Sequence, residues 1–128
     1  MKLLLLAPAL FILSATADKC SKKAKADSAG PLKARLEIKA ICSNYTFTVT
    51  GGTIDTSLVN TSWTDETTGK SYSQAFGIAN PCDFPATINA GDEFYFTLEK
   101  ENKKECAVCM AYYPTPSKKL YIKVIPKP

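Results

Sequence analysis

Between Leu32 and Ala40 the chain alternates without interruption. Leu32, Ala34, Leu36, Ile38 and Ala40 fall on one side, and Lys33, Arg35, Glu37 and Lys39 on the other. Successive Cβ atoms of extended backbone point to opposite sides, so a period of two gives a strand with one dry face and one wet face. After Cys42-Ser43-Asn44 the apolar parity moves to Tyr45, Phe47 and Val49. A slip of one residue inside extended chain means a β-bulge or a very tight turn. A long first strand bent at that point is what a small curled barrel requires.

The remaining chain continues in the same style. Gly51-Gly52 is a two-residue hairpin signal, and residues 53–64, rich in Thr, Val and Ile, read as a strand that carries Trp63 into the core. The polar run 65–70 is a turn, followed by a strand with Tyr72, Phe76 and Ile78 inward. Asn80-Pro81 and Phe84-Pro85 break the extended pattern. Residues 89–92 turn the chain into a strand over 93–98 with Phe94, Phe96 and Leu98 inward, and Leu120, Ile122 and Val124 face inward on the last strand. No segment has a convincing helical period, although residues 106–112 have room for one turn. Five to seven strands at this spacing predict an all-β domain, a small Greek-key barrel of OB-like type, with a β-sandwich as the alternative.

The N-terminus has a different character. Lys2 is followed by an apolar run over residues 3–13 and by Ala15-Thr16-Ala17. The run is shorter than the ~20 residues a spanning helix needs, and small residues at positions 15 and 17 suit a signal peptidase. The expected organisation is therefore a signal peptide at 1–17, a flexible basic tether at 18–30 and a single all-β domain at 31–128. The destination is exported: periplasmic, anchored at the outer envelope, or secreted. No transmembrane span is expected in the mature chain. Cys20 is a candidate lipid anchor that would tether the chain to a membrane. Asp18-Lys19 before it differ from the small residues of a lipobox, and an unpaired or intermolecular thiol is the other reading of the odd fifth cysteine.

Export sets the chemistry of the other four cysteines. In an oxidising compartment Cys42, Cys82, Cys106 and Cys109 form two disulfides out of three possible connectivities. The preferred one joins Cys42 and Cys82 each to one member of the Cys106/Cys109 pair, because bridges between distant segments constrain more chain. Two other readings use the same residues. A periplasmic thiol-disulfide redox protein would use Cys106 and Cys109 as its dithiol, although Glu105 beside the first thiol raises its pKa and no βαβ context surrounds it. A zinc site built from all four cysteines would need a second Cys-x-x-Cys, and only one is present.

The order of elements resembles the OB-type barrel of netrin-like modules. There a curved strand leads to a Cys-bearing segment, a Gly-x-x-Phe strand and a later cysteine, matched here by Cys82, Gly91 to Phe94 and Cys106. The chain as a whole looks like the short exported or lipid-anchored β-proteins of bacteria. The resemblance implies a fold and a location, and it implies no catalytic activity.

Composition removes most enzyme classes. The chain has no histidine, so Ser-His-Asp triads, Cys-His nucleophile pairs and His-liganded metals cannot be built. The formal net charge is +4, but Lys19, Lys22, Lys23 and Lys25 lie in the tether, which leaves the folded part near neutral and gives no support to nucleic-acid binding. Asp92-Glu93 and Asp83 read as turn and solvent-face residues rather than as an acid-base pair. Catalytic residues, metal and cofactor are all expected to be absent. The expected role is a non-enzymatic binding or structural module at the cell envelope, with a protein or glycan as partner. Its candidate contact surface is Tyr112 and Tyr113 beside the Pro114/Pro116 connector, with the outward-facing Tyr95 and Tyr121. Asn44-Tyr45-Thr46 and Asn60-Thr61-Ser62 match a glycosylation sequon, which acts only in a eukaryotic secretory host.

Overall fold

The alternation that begins at Leu32 builds β1 (Leu32–Lys39), and the parity change marks the tight connection to β2 (Tyr45–Gly51). The computed structural model describes residues 30–102 and 105–128; the expected leader, all but the last residue of the tether, and Cys20 lie outside the described residues. The other strands are β3 (Asn60–Thr64), β4 (Ser71–Ile78), β5 (Glu93–Leu98), β6 (Lys119–Leu120) and β7 (Ile122–Ile125). Their order across the sheet is β3-β4-β2-β1-β5-β7, with β6 paired to β4.

That order curls the sheet into a partly open barrel. The C-terminal segment holds both margins. Its residues 122–125 pair antiparallel with β5, from Leu98↔Ile122 to Tyr95↔Ile125. Just before, Lys119 and Leu120 pair in parallel with Gly77 and Ile78 of β4. Tyr121 is the residue at which the segment changes partner. Within the curl, Leu32, Leu36, Phe47, Phe76 and Phe96 are fully buried. Each comes from a position the alternation places inward, and burial of such a side chain is worth about 1.5–3 kcal/mol.

The junction between β4 and the last segment is extended by a side chain. Asn80 is buried; its Oδ1 accepts from the Ile122 N–H at 3.0 Å and its Nδ2 donates to the Ile122 carbonyl at 2.8 Å. The carboxamide thus stands in for one more residue of the ladder after Ala79 N–H, which donates to Leu120 O at 2.8 Å. Asn80→Ala orphans a buried donor and a buried acceptor on Ile122. A loss of about 2–4 kcal/mol in urea unfolding is expected, with the amide of Ile122 losing hydrogen-exchange protection first.

Several sequence expectations are corrected. Of the two readings of the parity change after Cys42, the tight turn holds, and the long bent first strand does not. Ile41–Ser43 form a 3-10 turn, with Cys42 and Ser43 both left-handed at φ 58°, and Cys42 therefore caps the end of the sheet rather than lying on an inward strand face. Bulges do occur, inside the β1·β2 ladder, where register shifts separate Lys33 from Ala34 and Leu36 from Ile38. The second shift rotates the end of β1. Ile38 pairs with Thr46 and is only half-buried, while Lys39 pairs with Tyr45. Lys39 Nζ donates to Ala86 O at 3.0 Å, Ile88 O at 2.8 Å and Asn89 Oδ1 at 3.2 Å, fastening the loop that leads into β5.

Gly51-Gly52 does not form a hairpin, because β2 lies between β1 and β4. Gly51 pairs with Lys33 instead. Gly52 sits at φ +83° where a Cβ would come within 3.0 Å of Leu32 Cδ2 and 3.1 Å of Pro31 O. The strand expected over 53–64 is confined to Asn60–Thr64, after a 3-10 turn at Thr56–Leu58. Trp63 is half-buried, stacked on Tyr72 at 6.0 Å, and outside the core. Gln74, at φ 49°, bends β4, which pairs with β2 only through Ala75 and Phe76; the segment before the bend pairs with β3. The room for a helical turn at 106–112 is not used.

Candidate binding surface

Residues 105–116 form no helix, strand, turn or bend, so the chain runs extended there. Among the described residues, no backbone-to-backbone hydrogen bond of the turns and loops involves residues 106–117. Side chains and disulfides anchor this strap instead. Cys106 is bonded to Cys82, with Cα atoms 5.7 Å apart, and Cys109 to Cys42, with Cα atoms 4.9 Å apart. This is the cross-segment connectivity preferred on sequence grounds. Cys106 and Cys109 are not bonded to each other.

The anchors continue along the strap. Asn44 Nδ2 donates to Ala111 O at 2.8 Å and to Ile41 O at 2.8 Å, tying the strap to the β1–β2 turn. Tyr112 OH donates to Glu66 at 3.3 Å and Tyr113 OH to Asp65 at 2.7 Å. Further on, Pro116 is fully buried, and Asn60 receives the Lys118 N–H at 3.0 Å and donates to Ser117 Oγ at 3.2 Å.

The strap gathers the exposed apolar surface. Among the described residues, the exposed large hydrophobic ones are Ile41 (62% exposed), Val108 (43%), Met110 (96%) and Tyr112 (78%). Three belong to one five-residue stretch of the strap, and the fourth precedes the cysteine to which that stretch is bonded. Scattered exposed apolar residues need no explanation, whereas several on one crosslinked stretch make the strap a candidate contact surface.

The four tyrosines singled out in the sequence do not form one platform. Tyr112 and Tyr113 meet the β3–β4 turn. Tyr95 is half-buried on β5 with Lys33 Nζ 5.7 Å from its ring centre. Tyr121 lines a cleft of about 550 Å3 beside Cys82, Cys106, Asp83 and Lys119. Ile41, Val108 and Met110 were not singled out by sequence reasoning. The signal that pointed to them was the Cys42–Cys109 pairing, which puts Ile41 beside the strap.

Asp65 is the electrostatic pin of this region. Its side chain is fully buried, accepting from Tyr113 OH and from the Thr67 N–H at 2.8 Å. Burial alone pushes the carboxyl pKa up, but hydrogen bonds from Tyr113, the Thr67 backbone and the Thr68 and Thr67 side chains together outweigh it and hold it below the usual 3.8. The same contact raises the Tyr113 hydroxyl above its usual 10.0. A depressed carboxylate contributes stability that is complete above its unfolded pKa and is lost as pH falls through the folded one. Asp65→Asn is therefore less stable than wild type at neutral pH. The gap closes as pH falls below about 4, as read by thermal unfolding across a pH series.

The remaining candidates have structural roles. Glu93 accepts from Lys33 at 2.7 Å and Arg35 at 2.6 Å on the outer face of β1 and β5. These two cations hold its pKa below the ordinary value. Asp92 caps its turn by accepting from the Asn89 N–H at 2.9 Å. Both sequon asparagines, Asn44 and Asn60, have their side-chain amides committed to the strap. Among the described residues, no three His, Cys, Asp or Glu side chains converge as a metal site would require, and no helix is long and apolar enough to cross a membrane. No family model matches the chain, and no curated protein or solved structure is similar to it.

Proposed function

We propose that this disulfide-stabilised all-β domain is a non-enzymatic binding module of the cell envelope that engages a protein partner through the strap. The observation that carries this reading is the exposure of Val108, Met110 and Tyr112 along the strap that the Cys42–Cys109 crosslink holds, with exposed Ile41 next to Cys42. An apolar group kept at the surface by a covalent staple resists collapse onto the core, and its desolvation by a partner is the main source of affinity such a surface offers. Tyr112 adds an aromatic anchor of the kind enriched at binding hot spots. Tyr113 supports the surface from beneath by its bond to Asp65. The signal-peptide layout expected from the sequence and the paired cysteines support an extracytoplasmic setting.

The test compares immobilised mature wild type with Val108→Asp/Tyr112→Asp, both positions being exposed, and with Lys123→Asp as a control on β7. Wild type and control retain the same partner from the host envelope fraction, and the double variant loses it. Equal retention by all three proteins overturns the reading.

A further inference from the structure

The geometry around Met110 points to a specific kind of partner, and we propose that the strap inhibits an endopeptidase by docking as a substrate would, with Met110 in an apolar primary-specificity pocket. The inference rests on the binding-module reading and names its partner.

Peptidase clefts take their substrates as short extended segments whose main chain bonds to the enzyme, while one side chain fills a pocket that sets specificity. Residues 107–112 have the form that such a cleft accepts. They run without turn or bend, they are exposed, and among the described residues they enter no backbone-to-backbone hydrogen bond of the turns and loops; Ala111 O accepts from the Asn44 side chain. Among the described residues Met110 is the most exposed large hydrophobic one, at 96%, and its unbranched thioether chain suits a deep hydrophobic slot of the chymotrypsin kind. It carries no charge for an acidic pocket of the trypsin kind and is too long for a shallow one of the elastase kind.

What separates an inhibitor from a substrate is the fate of the two ends at the scissile bond, and here both neighbours of Met110 are fixed to the β1–β2 turn. Cys109 is bonded to Cys42. Ala111 O is held by Asn44, which also grips Ile41 O. Hydrolysis of the Met110–Ala111 bond would consume one water and yield a carboxyl and an amine that the staple keeps in place, so the ends do not separate and the bond re-forms from within the complex. The same anchors mean that docking orders little chain, which removes much of the usual entropic cost of binding.

The experiment titrates the fully disulfide-bonded mature chain into chymotrypsin turning over a small chromogenic peptide. Inhibition at one equivalent is expected, with the bulk of the chain intact by mass spectrometry. Met110→Ala weakens inhibition at least about 30-fold, the scale of a hot-spot residue. Met110→Lys transfers inhibition from chymotrypsin to trypsin, and folding is unaffected because the side chain is exposed. The proposal is overturned if wild type leaves chymotrypsin unaffected and Met110→Lys leaves trypsin unaffected. It is equally overturned if the chain is cut after residue 110 as fast as a free peptide of the same sequence, or if Met110→Ala inhibits as well as wild type. Any of these results combined with partner loss by Val108→Asp/Tyr112→Asp removes the peptidase and keeps the binding surface; combined with retained partner it removes both.

Discussion

Replacing Cys42 and Cys109 together by serine lowers stability by about 4 kcal/mol, against about 3 kcal/mol for the corresponding change at Cys82 and Cys106. The difference comes from the unfolded chain. The first bridge joins residues 67 apart and the second residues 24 apart, and the entropy a crosslink removes from the unfolded state grows with the logarithm of the loop it closes. Native-state geometry offsets part of this. Cys42 and Ser43 both hold left-handed backbone at φ 58°, a region that costs a non-glycine residue roughly 1–2 kcal/mol, and any of that strain released with the bond subtracts from the loss. For a domain of this size a loss of about 4 kcal/mol corresponds to a fall in Tm of roughly 15–30 °C. Guanidinium unfolding of the two double variants checks the order. If the Cys82/Cys106 variant proves the weaker, local packing around that bridge outweighs loop entropy. A second readout follows the strap: without the Cys42 bond, residues 107–112 are held by Asn44 and Glu66 and, at their flanks, by the Cys82–Cys106 bridge and the Tyr113–Asp65 bond. Limited proteolysis should then cut there well before the sheet opens.

The parts of this fold that were legible in the sequence are those fixed by period and by redox chemistry. Leu32, Ala34 and Leu36 alternate and are buried; Phe94 and Phe96 do the same on β5, and Leu120 and Ile122 on the last segment. That both bridges cross between segments followed from the spacing of four cysteines, since a bridge inside Cys106-x-x-Cys109 would have constrained little of the chain; which member of the pair Cys42 takes was settled only by the fold. What was not legible depended on contacts between distant residues. Lys39 reads as a solvent-face lysine until the shift after Leu36 turns it toward the carbonyls of Ala86 and Ile88. Asn80 reads as a strand breaker, and does end β4, yet its side chain pairs with a backbone 42 residues away. Gly51-Gly52 carries a hairpin signature that the sheet order overrides, because β2 finds its partners in β1 and β4. The candidate surface fell between these cases. Tyr112 and Tyr113 were visible as an aromatic pair, whereas Ile41 and Met110 acquire meaning only once Cys42 and Cys109 are known to be joined.

Phe47→Ala is expected to cost about 3–5 kcal/mol and Trp63→Ala only about 1 kcal/mol, the reverse of what residue size alone suggests. Phe47 is fully buried on β2. Its ring stacks on Phe76 of β4 at 5.1 Å and meets the edges of Phe84 at 5.2 Å and Phe94 at 5.7 Å. Phe94 belongs to β5, which is not a neighbour of β2 in the sheet. The contact therefore reaches over β1 on the inner face of the curled sheet. Removing the ring leaves a cavity bounded by two strands and the Phe84 loop, none of which can collapse inward without breaking its own ladder or anchor, so the cavity contribution comes on top of the lost transfer energy. Trp63 has no such position. It stacks on Tyr72 at the β3–β4 hairpin, half in solvent, on an edge strand that can adjust. Urea unfolding of the two variants, with unchanged m-values as the sign that both still fold to the same state, separates a curled sheet closed around Phe47 from a flat one. In a flat sheet Phe47 would lose its contact with Phe94, and the two costs would converge.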